Sequence, residues 1–228
     1  MIPLRDDVPS ERLPIVTYGI IGLNLLVFLW ELSLGPALTR TVRLLGVTPL
    51  ALVGGWRDSP WVFITLLTSQ FLHAGWVHLF GNMLYLWIFG DNVEDTMGRG
   101  RFLAFYLICG VVANLAQVAI NPRSTLPLIG ASGAIAGVLG AYLLLFPWAR
   151  VLVAVPIFFY LRIIAVPAVL VLGTWFVTQL FSGLAAITLA SQVTGGVAWW
   201  AHVGGFVTGM ILIRFFRRRR RPPFIYYL

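Results

Sequence analysis

The chain has 228 residues, of which 59% are hydrophobic and 11% are charged, and its mean hydropathy is +0.90. A water-soluble domain of this length cannot bury so much apolar surface, but a lipid bilayer can cover it, so we predict an integral membrane protein. The same composition excludes intrinsic disorder, and a single cysteine, Cys109, excludes a disulfide scaffold. The net charge of +8 comes from arginine, because the chain contains no lysine.

Long charge-poor segments mark the membrane spans, because one charged residue at the bilayer centre costs about 3 kcal/mol. Six spanning helices are predicted: 15–34, 76–93, 102–120, a short helix from about 130 that ends before Pro147, and two helices within 163–213 that separate at Gly195 and Gly196. The predicted fold class is therefore an all-α membrane protein, a six-helix bundle with a long outer loop, 35–75. Its domains would be a cytoplasmic segment, 1–14, the transmembrane domain, 15–216, and a basic cytoplasmic tail, 217–228.

The arginines predict the orientation of this bundle. Six of the sixteen lie near the C-terminus, at position 214 and at 217–221, where a basic run is typical of a cytoplasmic anchor on anionic lipid. Segments 1–14, 91–101 and 147–166, together with the C-terminal run that starts at position 214, hold twelve arginines, against four in the opposite loops. Both termini are thus predicted to be cytoplasmic. Nucleic-acid binding is disfavoured, since no basic face continues over the rest of the chain.

Polar side chains occur in three predicted helices, near the end at which each enters from the outer side. They are His78 and Asn82 in the second helix, Ser132 in the fourth and His202 in the sixth. Polar groups at membrane depth suggest a functional site. Structural alternatives exist: Ser132 lies in a run of small residues that favours helix packing, His78 and Asn82 could bond across the bundle, and His202 could be an interfacial histidine. His73 could belong to the preceding loop.

Two pairs of glycines favour a catalytic interpretation. Gly133 and Gly137 in the fourth helix, and Gly205 and Gly209 in the sixth, are small residues four apart that let helices approach closely. Docking through them would bring Ser132 and His202 together at the outer ends of their helices. A neutral imidazole within about 3 Å can then activate the serine hydroxyl. Side-chain donors of His78 and Asn82, with the backbone N–H of Ser132, would face the developing oxyanion. No carboxylate lies on these helices, so a Ser-His dyad is predicted.

In this order and on these helices, three motifs resemble those of rhomboid intramembrane serine proteases. A GxSG motif reads Gly130-Ala131-Ser132-Gly133, and an HxxxN motif runs from His78 to Asn82 with His73 upstream. An AHxxG motif with a further glycine comprises Ala201, His202, Gly205 and Gly209, and a GxxxExxxG element comprises Gly90, Glu94 and Gly98. The resemblance implies that Ser132 is the nucleophile and His202 the base, and that the Glu94 element is structural. It implies no cofactor and no metal, and it implies transmembrane proteins as substrates.

Two positions differ from the family pattern. Some members have a tyrosine four residues after the serine, stacked on the catalytic histidine, and Ala136 stands there in this chain. Another group must therefore hold His202. Trp56 and Arg57, the Trp-Arg pair of the predicted outer loop, lie well before the second helix, unlike the family's pair in that loop. A loop around Gly195 and Gly196 is a candidate cap over the site.

Other functions remain alternatives. A non-catalytic rhomboid relative would bind transmembrane helices, and a small transporter would use polar residues along a full path through the bundle. A metalloprotease is disfavoured because the chain has no HExxH motif and its three histidines lack paired carboxylates. An aspartyl protease would need two intramembrane aspartates. The expected location is a prokaryotic plasma membrane, in which the protein would be multi-pass.

Overall fold

A computed structural model of the protein describes residues 2–55, 59–157, 160–188 and 197–218. The described chain is mostly helical and also contains three strands. The helices are α1 (Ile15–Ser33), α2 (Leu38–Leu45), α3 (Pro49–Gly54), α4 (Thr65–Thr68), α5 (Trp76–Met97), α6 (Arg99–Ile120), α7 (Ser132–Leu145), α8 (Ala168–Thr188) and α9 (Trp199–Phe216). The strands are β1 (Ile2–Asp6), β2 (Arg150–Ile157) and β3 (Tyr160–Pro167).

The long apolar helices confirm a multi-pass helical membrane protein. Within the described ranges, α1, α6, α8 and α9 are each long and apolar enough to cross a bilayer. A fifth span results if α5 is taken together with the helical segment Pro60–Phe71, which contains α4 and meets α5 at an angle of 81°. Helix α7 is apolar but shorter. The count of six crossings stays a prediction. Among the expected break points, Gly195 and Gly196 lie outside the described residues.

Most predicted helix bounds agree with the structure to within a few residues. Two differ more: α5 extends four residues beyond position 93 to Met97, where Gly98, with φ +80°, ends it. The predicted helical stretch that starts at 163 was wrong over its first five residues, because 163–167 belong to β3 and α8 begins at Ala168. The predicted outer loop 35–75 contains the short helices α2, α3 and α4. It is therefore a partly folded segment, and residues 56–58, with Trp56 and Arg57, lie outside the described part of it.

A small antiparallel sheet was not predicted from the sequence. β2 and β3 form a hairpin between α7 and α8, with Arg150 opposite Pro167, and β1 adds to the other edge of β2, with Ile2 opposite Ala154. Val151 and Val153 of β2 are fully buried. The segments 1–14 and 147–166, expected to be a plain terminal segment and a loop, are thus paired with each other across the length of the chain.

Glu94 of α5 attaches the start of α1 to the bundle. Its carboxylate accepts hydrogen bonds from the backbone N–H groups of Val16 and Thr17, at 3.1 and 2.7 Å, and from the Thr17 hydroxyl at 2.8 Å. The first N–H groups of a helix have no partner within the helix, so a carboxylate there satisfies them and complements the helix dipole. Glu94 therefore caps the start of α1, which is a structural role.

Helices α7 and α9 touch through their glycines. A methyl group at Gly205 would overlap the carbonyl oxygen of Gly133, and one at Gly209 would overlap that of Gly137. Gly140 is similarly close to the carbonyl oxygen of Phe206. The predicted docking of these two helices is found in the structure, and it leaves no room for any side chain at the contact.

We predict that Gly209→Ala destabilises the protein, by about 1–3 kcal/mol, because an added methyl group forces two backbones apart. The midpoint of thermal unfolding in detergent measures the effect. Gly173→Ala in α8 is the matched control, since nothing lies within 4 Å of its added methyl group. Equal midpoints for the two variants would contradict the close contact of α7 and α9.

Strand β1 is also held by a half-buried acid, Asp6. The Tyr142 hydroxyl of α7 donates a hydrogen bond to the Asp6 carboxylate. Burial raises the pKa of Asp6 from its ordinary value of 3.8 to about 6, against the lowering effect of this hydrogen bond and with a smaller contribution from the charges of Asp91 and Asp7. The folded protein therefore binds a proton at Asp6 more tightly than the unfolded chain does.

This pKa sets a direction for the pH dependence of stability. Because the folded state holds the proton to higher pH, the contribution of Asp6 is greatest below pH 3.8 and is lost as the pH rises to about 6. We predict that Asp6→Asn, which cannot ionise, removes this component of the slope. Thermal unfolding measured at several pH values between 4 and 7 tests it, and an unchanged slope in Asp6→Asn would contradict it.

Candidate active site

Ser132 and His202 are in hydrogen-bond contact. Ser132 is the first residue of α7 and His202 lies in the first turn of α9, and the serine Oγ is 2.8 Å from the histidine Nε2. The glycine contacts between the two helices bring their N-terminal ends side by side. The structure thus joins the two residues that the sequence predicted as a pair, although they are 70 positions apart.

The turn before Ser132 depends on Gly130. Gly130 has φ +125°, a conformation that favours glycine, and its N–H donates to the carbonyl oxygen of Ser69 at 2.9 Å. A Cβ atom at this position would lie only 2.7 Å from Cε1 and Nε2 of His78. The glycine therefore does two things: it allows the turn into α7, and it allows the His78 ring to approach the backbone before Ser132.

His78 and Asn82 present donors on the α5 side of the site. The backbone N–H of Ala74 donates to Nδ1 of His78 at 3.3 Å, so Nε2, which faces Gly130, carries the ring hydrogen. The side-chain nitrogen of Asn82 is buried and has no hydrogen-bond partner within the described parts of the chain. Asn82 borders a cavity, so a water molecule or a ligand oxygen in that cavity can satisfy this donor.

The structure places His73 behind His78, outside the cavity that the predicted catalytic and oxyanion residues border. Its backbone N–H donates to the Glu31 carboxylate at 3.0 Å, and its ring stacks edge-on against His78 with centroids 5.1 Å apart. His73 is 3% exposed and does not line the cavity that holds the other polar groups. His73 therefore supports the His78 ring from behind.

These groups border one cavity of about 910 Å³. Its walls come from the segment before α5, from α5 itself, from the turn before α7, and from α7, α8 and α9; they include His78, Asn82, Tyr85, Ser132, Trp175 and His202. This volume is within the range of ligand-binding cavities in proteins. Residues 195 and 196, the candidate cap, lie outside the described chain, but Trp199 packs edge-on against His202 at 6.3 Å between ring centroids.

Sequence reasoning missed two glutamines. Oε1 of Gln117 in α6 accepts hydrogen bonds from the N–H groups of Trp200 and Ala201, at 3.0 and 3.3 Å, and so caps the start of α9. Oε1 of Gln179 in α8 lies 2.7 Å from Nδ1 of His202. A buried amide within an otherwise apolar span was the available signal for both, but the sequence does not show towards which neighbour it points.

Among the described residues, no carboxylate is hydrogen-bonded to Ser132 or His202. Glu31 binds the backbone of His73, and Asp58 lies outside the described residues. Over the described ranges, no group of three or more histidine, cysteine, aspartate or glutamate side chains could hold a metal ion. The contact between Ser132 and His202 is therefore flanked by an amide and aromatic rings.

Comparison with known proteins decides the family. Residues 60–219 match the family model described as Rhomboid domain. The chain belongs to the rhomboid family. This confirms the resemblance that the motifs around Ser132, His78 and His202 suggested.

Several named proteins are similar to this rhomboid. It is 41% identical to "Rhomboid protease GluP" of Bacillus subtilis (strain 168) over 133 residues, which are 57% of this chain and 24% of the relative. It is 29% identical over 203 residues to "Rhomboid protein 1, mitochondrial" of Saccharomyces cerevisiae, covering 86% of this chain and 51% of the relative. It is 34% identical over 163 residues to "Presenilin-associated rhomboid-like protein, mitochondrial" of Homo sapiens, covering 68% and 40%. This rhomboid thus spans about half, or less, of the length of these relatives.

The close approach of His78 to Gly130 yields a prediction. In Gly130→Ala the new methyl group collides with the His78 ring, so we expect labelling of Ser132 by a fluorophosphonate probe to slow by at least about tenfold. The labelling rate of purified protein in detergent is the measurement. Gly35→Ala is the matched control, because Gly35 also has a positive φ, +50°, but has nothing within 4 Å. Equal labelling of both variants would show that the His78 position does not matter.

Proposed function

We propose that this rhomboid is an intramembrane serine endopeptidase that hydrolyses peptide bonds in or near transmembrane helices of other membrane proteins. The observation that carries the proposal is the 2.8 Å contact between Ser132 Oγ and His202 Nε2 at the wall of a 910 Å³ cavity. Nucleophile and base within hydrogen-bond reach are the signature of covalent catalysis. Membership of a family that includes a protein named a protease supports it.

The proposed reaction begins at the serine. Ser132 Oγ attacks the scissile carbonyl carbon while His202 Nε2 takes the hydroxyl proton, and a tetrahedral intermediate forms. The imidazolium then gives this proton to the leaving amine, and an ester with Ser132 remains. A water molecule, activated by the same imidazole, hydrolyses the ester and restores the serine.

Three donors are proposed to stabilise the oxyanion of the intermediate. Asn82 offers its unpaired side-chain nitrogen, His78 offers Nε2–H, and Ser132 offers its backbone N–H at the beginning of α7. Such donors act strongly because they are oriented before the reaction starts. The buried side-chain nitrogen of Asn82 has no hydrogen-bond partner among the described residues, and a substrate oxygen would supply one. This supports the assignment.

The proposed substrate is a transmembrane helix that unwinds locally. In an intact helix the carbonyl groups are hydrogen-bonded and inaccessible, so the scissile segment must lose helical structure before attack. Glycine or proline near the cleaved bond would favour this step. The cavity that Ser132 and His202 border is largely apolar, but its polar side chains, among them His78 and Asn82, offer partners to the released backbone groups.

We further propose a location for the protein and the orientation that the arginines indicate. The protein would lie in a prokaryotic plasma membrane, with residues 15–216 forming the transmembrane domain. The 1–14 segment that precedes this domain and the 217–228 tail that follows it would both be in the cytoplasm. The pairing of β1 with β2 supports a common side for the N-terminal segment and the 147–166 connection.

A non-catalytic helix-binding role is the second candidate. The observation that favours it is that some similar proteins are named rhomboid-like and not protease. The contact between Ser132 and His202 supports the catalytic role instead, because a helix-binding protein has no need of a serine bonded to a neutral base. A transporter would need polar groups along its depth, whereas the buried residues of α7 before Tyr142 are Gly, Ala, Ile, Val and Leu.

The test uses a fluorophosphonate probe on the purified full chain in detergent, together with cleavage of a transmembrane substrate in liposomes. We predict that the wild type reacts and that Ser132→Ala and His202→Ala lose both activities by at least about 1,000-fold. Ser33→Ala is the control, because Ser33 is an exposed serine at the end of α1. Labelling that persists in Ser132→Ala would overturn the nucleophile, and a folded wild type without either activity would favour the non-catalytic role.

A further inference from the structure

We propose that Gln179 is the positioning residue for His202, a third member of a Ser132-His202-Gln179 chain of hydrogen bonds. The inference rests on the proposed function, since it assigns a role within the same reaction. Gln179 Oε1 is 2.7 Å from Nδ1 of His202, and Nε2 of the same ring is 2.8 Å from Ser132 Oγ. Both ring nitrogens of the base therefore have a side-chain partner at short distance.

The Gln179 amide lies with its oxygen towards His202 and its nitrogen towards Thr178. The hydroxyl of Thr178 donates to the carbonyl oxygen of Trp175 at 2.6 Å, so its oxygen is left to accept. The amide nitrogen of Gln179 lies 3.5 Å from that hydroxyl oxygen. With its nitrogen on Thr178, the amide turns its oxygen to His202, and an oxygen can only accept.

This direction fixes the tautomer of the imidazole. Because Gln179 offers an acceptor, Nδ1 of His202 must carry the hydrogen, and Nε2 is left with its lone pair towards Ser132. That is the tautomer a general base needs. The other tautomer would place a hydrogen against the serine hydroxyl and leave the Gln179 oxygen buried without a donor, which is costly.

Packing keeps the amide in place. Gln179 is 7% exposed, and its helix packs on α9 through Phe176 and Phe206, whose rings stack with centroids 4.6 Å apart. Trp175, one turn earlier on α8, lies against the His202 ring with centroids 5.8 Å apart. Ala136, where other family members have a tyrosine, is fully buried and carries no ring. In this chain α8 thus supplies both the ring contact and the hydrogen bond that hold the base.

An amide differs from a carboxylate in this position. It orients the ring and selects the tautomer, but it adds no negative charge to stabilise the imidazolium that forms when Ser132 loses its proton. A glutamate at 179 would accept the same hydrogen bond and would also favour the charged ring. Leucine at position 179 keeps the approximate shape of glutamine but accepts no hydrogen bond, whereas glutamate accepts the bond and adds a negative charge. Comparing the three residues therefore separates the effect of the hydrogen bond from the effects of shape and charge.

The test compares Gln179→Leu and Gln179→Glu with the wild type in the full-length protein. We expect Gln179→Leu, which keeps the shape but cannot accept, to lower both the fluorophosphonate labelling rate and kcat for a transmembrane substrate by about ten- to 100-fold with little change in KM. That is part of the factor of about 10²–10⁴ contributed by a general base. Gln179→Glu should restore most of the rate above neutral pH, with the acidic limb of its pH–rate profile moved to higher pH.

Thr174→Val is the matched control, because Thr174 lies on the same helix and its hydroxyl bonds only the carbonyl oxygens of Leu170 and Val171 among the described contacts. It should label at the wild-type rate. A wild type that labels through Ser132 while Gln179→Leu labels equally fast would overturn the role of Gln179 and leave the proposed function intact. If Gln179→Leu is poorly folded, the glutamate variant decides: an unmoved acidic limb overturns the role, and a shifted one supports it. A wild type that does not label would count against the proposed function itself.

Discussion

The backbone contact between α7 and α9 is the constraint on which the site depends. At Gly205 and Gly209 the two helices approach so closely that carbonyl oxygens of α7 occupy the space where side chains would begin. In a bilayer, apolar side chains gain little by leaving lipid for protein, so close packing of small residues is a main source of helix association. Because the contact allows one register of the two helices, it also sets the separation of Ser132 and His202.

Around that contact, side chains of other helices satisfy the exposed starts of helices. Glu94 of α5 binds the first N–H groups of α1, and Gln117 of α6 binds those of α9. Unpaired N–H groups are expensive away from water, so each of these residues fixes where its partner helix begins. For α9 this matters directly, because His202 lies one residue after the capped N–H of Ala201. Helix α6 thus fixes the start of the helix that carries His202, and α8 contacts the imidazole ring itself.

The three-stranded sheet joins two segments that are far apart in the sequence, the N-terminal strand β1 and the hairpin of β2 and β3. Through β1 and Asp6 the N-terminal segment contacts both the hairpin between α7 and α8 and the Tyr142 end of α7. Helices α7 and α8 each carry part of the site, Ser132 at the opposite end of one and Gln179 within the other. The sheet therefore connects the ends of the two helices on the side away from the cavity.

Much of this protein follows from its sequence. Charge-poor segments predicted where α1, α5, α6 and α7 lie, because a charge at the bilayer centre is costly. Glycine spacing predicted that α7 meets α9. Ser132 and His202 could be paired in advance for that reason. The sheet could not be predicted, since Ile2 pairs with Ala154 and no local pattern encodes a partner so distant. Nor could Gln117 and Gln179: a hydropathy window shows that an amide lies in a span, but not which way it faces around the helix. That direction is decided only when the helices pack, because packing determines which unpaired donor, the start of α9 or the ring of His202, each amide must satisfy.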